Sequence, residues 1–170
     1  RTLRAGVTQD LDSLNPFISI TRIGTDLTRL TYEYLTTYDA KDYHPVPGLA
    51  EKWETSPDKL TWTFTIRQGA KWSDGQPITA KDPAFTLNTM MTNDTAATAN
   101  GNFVQGWESV TATDDRTLVI KTREPRSTML ALDIPIVPKH VWEKVTDFKA
   151  EPPLPLVGSG PFVVQDYKAS

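Results

Sequence analysis

Residues 60–82 read LTWTFTIRQGAKWSDGQPITAKD and contain the clearest structural pattern of the chain. Over 61–67, large apolar side chains alternate with threonines and an arginine, the two-residue period of a strand with one buried face. The triplet Ser-Asp-Gly at 73–75 is typical of a turn. Thr79 then begins a predicted helix, 79–92, through a variant of the capping box. The stretch therefore predicts a strand, a turn and a helix in that order.

Outward from this stretch, the pattern predicts further elements. Pro83 falls at the fourth position of the helix, where its missing N–H is expected to weaken the helix start. A second helix is predicted over 26–35, capped by Thr25, and a hairpin over 108–113 and 117–122. Shorter predictions are strands at 2–8 and 162–167, a helical turn at 49–53, a loop at 93–102, helical pieces at 127–132 and 138–145, and a proline-rich linker at 150–156.

Composition excludes several classes of protein. The chain has 170 residues and a net charge of 18 − 21 = −3, and weak acidity argues against a nucleic-acid partner. Its 38% hydrophobic and 23% charged residues are typical of a folded domain, and no apolar run reaches the roughly 18 residues of a membrane span. The absence of cysteine excludes disulfides, a thiol nucleophile and cysteine-ligated metal.

No motif predicts catalysis, a metal site or a cofactor. His44 lies in a proline-stiffened segment and His140 at a predicted helix start, and both are interpreted as surface or capping residues. Gly158-Ser159-Gly160 lacks the strand and helix that flank a nucleophilic serine, so it is interpreted as a turn. The phosphate-loop pattern G-x-x-x-x-G-K is absent.

Two features leave alternatives open. Trp53, Trp62 and Trp72 either share a core or form a stacking platform, and the core is favoured because Trp62 is in phase with the other apolar residues of its strand. The two predicted terminal strands, 2–8 and 162–167, either pair with each other or belong to a sheet whose remainder lies outside this sequence.

Several motifs, in order along the chain, resemble the bacterial extracellular solute-binding proteins of family 5, the dipeptide- and oligopeptide-binding family. The most specific match is residues 60–82, which resemble the long family signature. The other matching segments are SLNP at 13–16 (with Asn15 where the family has aspartate), PGLAEKWE at 47–54, DRTL at 115–118, EP at 124–125, IVPKH at 136–140 and GSGPF at 158–162.

The resemblance implies a mixed α/β (α+β) fold, part of the first lobe of a type II periplasmic binding protein. By this resemblance, residues 1–33 and 158–170 belong to the first lobe, and residues 34–157 form a subdomain inserted into it. The second lobe is expected to be absent, so the chain is expected to be an incomplete fragment. An incomplete first lobe would explain both why the predicted terminal strands lack partners and why a proline-rich segment crosses between the units at 150–156.

The resemblance also implies a function without covalent chemistry. The chain is expected to belong to a monomeric extracytoplasmic receptor, peripheral to the membrane, which closes on an oligopeptide or related solute and presents it to the permease subunits of an ABC importer. Family members that bind peptides contact them with a loop that falls at Ile20, Thr21 and Arg22 here. Arg22 indicates an anionic or polar ligand feature, or is simply a solvated residue.

Other functions stay open at this stage. Oligosaccharides, nickel complexes and opines are alternative solutes within the same family. Solvent exposure of Trp107 or Phe103 would favour a sugar. A stand-alone carbohydrate-binding or adhesion module would need a closed sheet within the chain, and a hydrolase would need a nucleophile and a base within reach.

Overall fold

The computed structural model describes residues 7–168. In chain order these residues form α1 (Arg22–Thr31), β1 (Thr36–Tyr38), β2 (Pro45–Pro47), β3 (Ala50–Thr55), β4 (Thr61–Ile66), α2 (Lys81–Thr92), α3 (Gly101–Val104), β5 (Trp107–Ala112), β6 (Thr117–Thr122) and α4 (Lys139–Trp142). No helix within 7–168 has the length and apolar character needed to cross a bilayer.

A four-stranded antiparallel sheet, in the order β3-β4-β6-β5, forms the centre of the fold. The alternation predicted for 61–67 sets its register, because Trp53 lies opposite Phe64 and Trp62 opposite Ile120, all on one face. The hairpin predicted at 108–113 and 117–122 is confirmed as β5 and β6. Strands β1 and β2 form a separate two-stranded sheet.

The apolar face of the sheet packs against α2 to form the core. Phe64, Leu118 and Ile120 from the sheet and Leu87 from α2 are fully buried. The prediction that the three tryptophans belong to the core is confirmed, since Trp72 is buried and Trp53 and Trp62 pack partly buried against the same cluster. The opposite face carries threonines and charged residues.

The start of α2 corrects one prediction. Pro83 is the third helical residue rather than the fourth, and the carbonyl of Thr79, which its N–H would have faced, accepts the N–H of Asp82 (3.1 Å). The N–H of Thr79 in turn donates to the Asp82 carboxylate (2.8 Å), as the capping box predicts. Pro83 therefore leaves no group unsatisfied at this end of the helix, and the predicted weakening has no structural basis.

Helix α1 begins earlier than predicted. It spans Arg22–Thr31 rather than 26–35, and Thr21 rather than Thr25 is its N-cap. The apolar periodicity continues past the helix because Tyr32 and Leu35 are buried beyond its end, so burial rather than a helical period explains these apolar residues.

Several shorter predictions are wrong because local sequence does not show hydrogen-bond partners. Residues 49–53 belong largely to strand β3 rather than to a helical turn, since β4 supplies a partner strand. Residues 127–130 form turns and 131–132 have no regular structure. The segment 138–145 is helical only over Lys139–Trp142, with Pro138 as N-cap instead of first helical residue. The predicted loop at 93–102 consists largely of turns and runs into α3.

The two predicted terminal strands do not form a described sheet. Residues 162–167 are not a strand, because Val164 accepts one hydrogen bond from Leu156 (2.8 Å) and no ladder follows. Of the predicted strand 2–8, residues 2–6 lie outside the described part of the chain, and residues 7 and 8 are not in a strand.

Candidate functional site

The predicted contact loop, Ile20, Thr21 and Arg22, lies at the start of α1. The side chain of Ile20 is exposed (72%), whereas Thr21 caps the helix by accepting the N–H of Gly24 (3.2 Å). Arg22 is the first helical residue, and its guanidinium pairs with Asp26 one turn later (3.1 Å) at an exposed position. The loop thus presents one apolar side chain and one cation that already has a partner.

One carboxylate fixes this loop. Asp12 accepts hydrogen bonds from the backbone N–H groups of Ile20 (2.8 Å) and Thr21 (3.2 Å) and from the hydroxyls of Ser19 and Thr21 (both 2.7 Å). Partial burial acts to raise the pKa of Asp12, but these hydrogen bonds outweigh it and lower the pKa to about 2. Asp12 is therefore ionised at neutral pH and holds the loop in a single conformation.

The turn that precedes the loop is anchored by Asn15. Its side-chain amide donates to the carbonyls of Phe148 and Ala150 (both 2.9 Å), and its side-chain oxygen accepts the N–H of Phe17 (3.0 Å). Glu151 adds hydrogen bonds from the Ser13 hydroxyl (2.6 Å) and a backbone N–H. Because a carboxylate has no proton to donate, the asparagine suits a site that faces two carbonyls.

A cleft of about 130 Å³ opens beside the loop. Its lining is mixed. The polar lining residues are Ser19, Thr25, Thr28, Tyr34, Asn100 and Asp133, and the apolar ones are Pro16, Ile20, Ala99 and Pro135. This volume exceeds the roughly 10–15 Å³ that a single water needs, so the cleft admits a small chemical group.

The charged pair at this cleft was not predicted from the sequence. Asp133 accepts a hydrogen bond from the guanidinium of Arg29 (2.7 Å), and the same guanidinium lies 5.6 Å from the ring centre of Tyr34. Burial raises the pKa of Tyr34, so its hydroxyl stays protonated. Asp133 lies 104 residues from Arg29, and no local pattern signals the pair.

Arg22 borders a different depression from Ile20. It lines a crevice of about 220 Å³ together with Gln9, Ile23 and Asp26. The predicted contact residues Ile20 and Arg22 therefore line two different surface depressions. Thr21 lies between them in the chain, and its hydroxyl donates to Asp12 and accepts the N–H of Gly24 at the helix cap.

Two further aromatic residues, Trp107 and Phe103, bear on the sugar alternative. Trp107 is 4% exposed and Phe103 is half-buried, so the exposure that would have favoured a sugar is absent at Trp107. Trp107 borders a crevice of about 430 Å³ whose other walls include Met90, Gln105 and Arg123.

A cluster of possible metal ligands lies between β1 and β2. The ligand atoms of Asp39, Asp42 and His44 lie within 4.8 Å of one another. Asp42 and His44 are exposed and bonded to each other, and Asp39 accepts the N–H of Lys41 (2.8 Å). Exposed acidic groups of this kind are common without a bound ion, so the cluster carries no functional argument.

The histidines have carboxylate partners. Nε2 of His140 lies 2.7 Å from the Asp74 carboxylate, and the ring of His44 contacts Asp42. Within residues 7–168, neither ring is hydrogen-bonded to a serine or threonine hydroxyl, the contact that an activated nucleophile requires.

Known proteins match this chain in sequence. The sequence profile of the bacterial extracellular solute-binding proteins, family 5 Middle, matches residues 44–170. The dipeptide-binding protein DppE of Bacillus subtilis is 36% identical over 146 residues, which cover 75% of this chain and 27% of DppE. The oligopeptide-binding protein OppA of the same organism is 30% identical over 188 residues, which cover 99% of this chain and 34% of OppA.

Solved structures show the same fold. The substrate-binding protein CtaP of Listeria monocytogenes superposes with a TM-score of 0.80 at 27% identity, over 96% of this chain and 34% of CtaP. AppA of B. subtilis in complex with a nonapeptide superposes with a TM-score of 0.77 at 26% identity, over 87% of this chain and 30% of AppA. MoaA of A. tumefaciens R10 in complex with mannopinic acid superposes with a TM-score of 0.77 at 29% identity, over 90% of this chain and 32% of MoaA. The chain thus spans about a third of these structures, and its mixed α/β fold is that of a type II periplasmic binding protein.

Proposed function

Because the chain belongs to the bacterial extracellular solute-binding proteins, family 5, we propose that it supplies part of the ligand-binding lobe of an oligopeptide receptor for an ABC importer. The named relatives DppE and OppA bind dipeptides and oligopeptides, and AppA is solved with a nonapeptide. The chain spans only about a third of these proteins, so the activity belongs to the longer receptor of which it is part.

One observation carries this proposal: the exposed loop at Ile20 lies on the rim of a cleft and is rigidly held. Asp12 occupies the N–H groups of Ile20 and Thr21, whereas no group within residues 7–168 donates to the carbonyl of Ile20. A peptide ligand can therefore pair with this loop by donating its own N–H to that carbonyl. We propose the carbonyl of Ile20 as the main-chain contact of the site and Thr21 and Arg22 as flanking contacts, because the N–H and the carbonyl of Thr21 already have partners within the protein.

The division of the chain into lobe segments is also a proposal. We propose that residues 1–33 and 158–170 belong to one lobe and that residues 34–157 form an inserted subdomain. The N–H groups of Ser159 (3.0 Å) and Phe162 (3.1 Å) donate to carbonyls in the last turn of α1, and the hydroxyl of Ser159 accepts the N–H of Glu33 (2.9 Å). These hydrogen bonds support a common lobe for the two segments.

The proposed mechanism is closure around the ligand without covalent chemistry. A second lobe, outside this sequence, would cover the cleft from the opposite side. The closed state is favoured only by the ligand contacts that it adds to those of the open state. A rigid loop at Ile20 favours ligand affinity because it loses little conformational entropy when the ligand binds.

The proposed receptor is monomeric, needs no cofactor and delivers its ligand to permease subunits outside the cytoplasmic membrane. Family 5 solute-binding proteins are extracytoplasmic, as the name of the family states. The relatives in Brucella are named as peptide-binding proteins of ABC transporters, which supports the permease as partner.

An opine-type solute is the second candidate. MoaA, at 29% identity, is solved with mannopinic acid, and AgaA of A. tumefaciens R10, at 25%, with agropinic acid. Their TM-scores of 0.77 equal that of AppA, so the likeness of fold does not favour one solute over the other. The sequence relatives named for peptides favour the first candidate.

The test is calorimetric titration of the full-length receptor with trialanine, hexa-alanine and mannopinic acid. We expect heat and saturation with at least one peptide, together with a smaller radius of gyration in solution X-ray scattering as the lobes close. Saturation by mannopinic acid without any peptide response would replace the peptide proposal with the opine candidate.

A further inference from the structure

A second hollow, here called the Trp107 crevice, is separate from the cleft beside Ile20. Its volume of about 430 Å³ lies within the range of roughly 300–1,000 Å³ that is typical of small-molecule sites. Its walls come from the end of α2, the turns that follow it, α3, the start of β5 and the residue after β6. The crevice and the cleft share no lining residue among the described residues, so a ligand in one does not occupy the other.

Part of the lining of the Trp107 crevice is apolar. Met90, Val104 and Trp107 are buried at its edge, and Met91 is half-buried beside them. Methionine side chains are flexible and adapt to apolar groups of different shape. The indole N–H of Trp107 is buried and has no hydrogen-bond acceptor within residues 7–168, which is unusual for a buried polar group. The wall thus offers apolar contact and one donor that the chain itself does not satisfy.

Two residues of opposite charge also line the crevice. Asp94 lies in the turns after α2, and Arg123 follows directly after β6. Within residues 7–168, neither side chain forms an ion pair or a hydrogen bond, either with the other or with a third residue. Single exposed charges are common on protein surfaces, but here an unpaired cation and an unpaired anion border one hollow that also has apolar walls. The crevice therefore carries complementary partners for both charges of a zwitterion.

We infer that the Trp107 crevice binds a small zwitterion with an apolar side chain, such as a free aliphatic amino acid. Arg123 receives the carboxylate, because a guanidinium pairs with a carboxylate through two parallel hydrogen bonds. Asp94 accepts from the ammonium group, which has three donors and no acceptor. Since Asp94 and Arg123 are not bonded to each other, the ligand breaks no internal ion pair when it binds. This site is additional to the proposed peptide site and does not rest on it.

The test is calorimetric titration of the full-length receptor with leucine, leucinamide and N-acetyl-leucine at pH 6.5, where the free amino groups are protonated. Leucinamide keeps the ammonium group and lacks the carboxylate, whereas N-acetyl-leucine has the reverse pattern. We expect saturation with leucine and affinities at least about fivefold lower for each blocked form, an effect limited by the exposure of both charges. Equal affinities for the three probes, or no binding of leucine, overturn the inference.

Substitutions assign the two charges to the crevice. Asp94 and Arg123 are exposed and unpaired within residues 7–168, so their replacement leaves the fold intact. Arg123→Gln is expected to abolish the advantage of leucine over leucinamide, and Asp94→Asn its advantage over N-acetyl-leucine. Lys121→Gln removes an exposed cation of β6 that does not line the crevice and is expected to change neither. Unchanged preferences in both crevice variants overturn the inference.

Methyl NMR of methionine locates the ligand. The methyl signals of Met91 and Met129 are assigned by Met91→Leu and Met129→Leu, and leucine is expected to shift the first and not the second, which is buried away from the crevice. If this pattern appears while no peptide binds, the receptor function fails and the inference stands. If peptides bind while leucine leaves Met91 unmoved, the receptor function stands and the inference fails.

Discussion

Two regions of this molecule are held together in different ways. The sheet unit, β3 to β6 with α2, buries apolar side chains such as Phe64 and Leu118 on one face. The α1 segment, residues 7–35 with 158–168, depends more on side-chain-to-backbone hydrogen bonds from distant residues and leaves Ile20, Leu30 and Phe162 exposed. Both regions bury apolar side chains, including Phe17 and Tyr32 in the α1 segment, but the exposed loop of the α1 segment takes its conformation from hydrogen bonds.

The difference has a functional consequence. The candidate site lies in the α1 segment. A loop that is fixed by hydrogen bonds can remain exposed and still keep one conformation. A loop fixed by apolar burial would have to hide the very residues that contact a ligand. Asp12 and Asn15 therefore fix the backbone beside the cleft through hydrogen bonds, whereas the buried side chains fix the sheet unit through apolar packing.

The largest effect is expected from the sheet unit. Phe64→Ala removes a fully buried ring from the central strand and should lower the free energy of unfolding by about 3–5 kcal/mol. Thr63→Ala, on the opposite face of the same strand, should cost no more than about 1 kcal/mol. Urea denaturation followed by tryptophan fluorescence measures both, and equal losses would contradict the assignment of the two faces.

In the α1 segment, the sharpest test is Asn15→Asp. It places a carboxylate against the carbonyls of Phe148 and Ala150 and should cost about 3 kcal/mol at pH 7. The two carbonyls and burial raise the pKa of this carboxyl on folding, so the loss should shrink as the pH falls toward about 4 and level off below it, where the protonated carboxyl donates one hydrogen bond.

Asn93→Asp is the matched control for this substitution. The side chain of Asn93 accepts the N–H of Ala96 through its oxygen, which a carboxylate also provides. The free energy of unfolding, measured by urea denaturation at pH 7 and pH 4, should therefore change by less than about 1 kcal/mol. A similar loss in both variants would show that charge alone, rather than the two carbonyls, explains the effect.

The packing of 158–168 on α1 is tested by Gly158→Ala. An added Cβ would lie 2.1 Å from the carbonyl oxygen of Thr31, a backbone atom that cannot swing away, so we expect a loss of about 3 kcal/mol. Ser159→Ala removes only the hydrogen bond to Glu33 and should cost about 1 kcal/mol. Thermal unfolding of both variants separates the steric clash from the lost hydrogen bond.

Asp12 should make the stability of the loop depend on pH. The pKa of Asp12 falls from its ordinary 3.8 to about 2 on folding, so its contribution is complete above about pH 4 and is lost as the pH falls through 2. Because Asp12 is exposed, solvent screening limits this contribution to about 1 kcal/mol. Asp12→Asn should lower stability by that amount at pH 7, and the difference from wild type should vanish near pH 2.

The smallest effect is expected at the surface of the sheet unit. Lys81 and Asp115 form an exposed ion pair (2.7 Å), and Lys81→Ala should change stability by less than about 0.5 kcal/mol. A larger loss, unaffected by 1 M salt in the urea measurement, would mean that Lys81 contributes packing in addition to charge.

By itself, the sequence determined the central strand β4, the β5–β6 hairpin, most of α2, the core position of the tryptophans and the family. The strands, the helix and the core positions depend on periodicity and turn chemistry, which act between near neighbours in the chain, whereas the family follows from the resemblance of several motifs. It also indicated the Ile20 loop, but only through resemblance, and that position remains a proposal.

Three features became apparent only in the folded chain: where α1 begins, why Asn15 suits its site, and that Asp133 and Tyr34 line the cleft beside Ile20. Each of these depends on a contact across a long separation, such as the 133 residues between Asn15 and Phe148 or the 104 between Arg29 and Asp133. Hydrogen bonds between such distant groups leave no periodic trace in the sequence, because the same polar side chains are equally stable when they are simply hydrated on a surface.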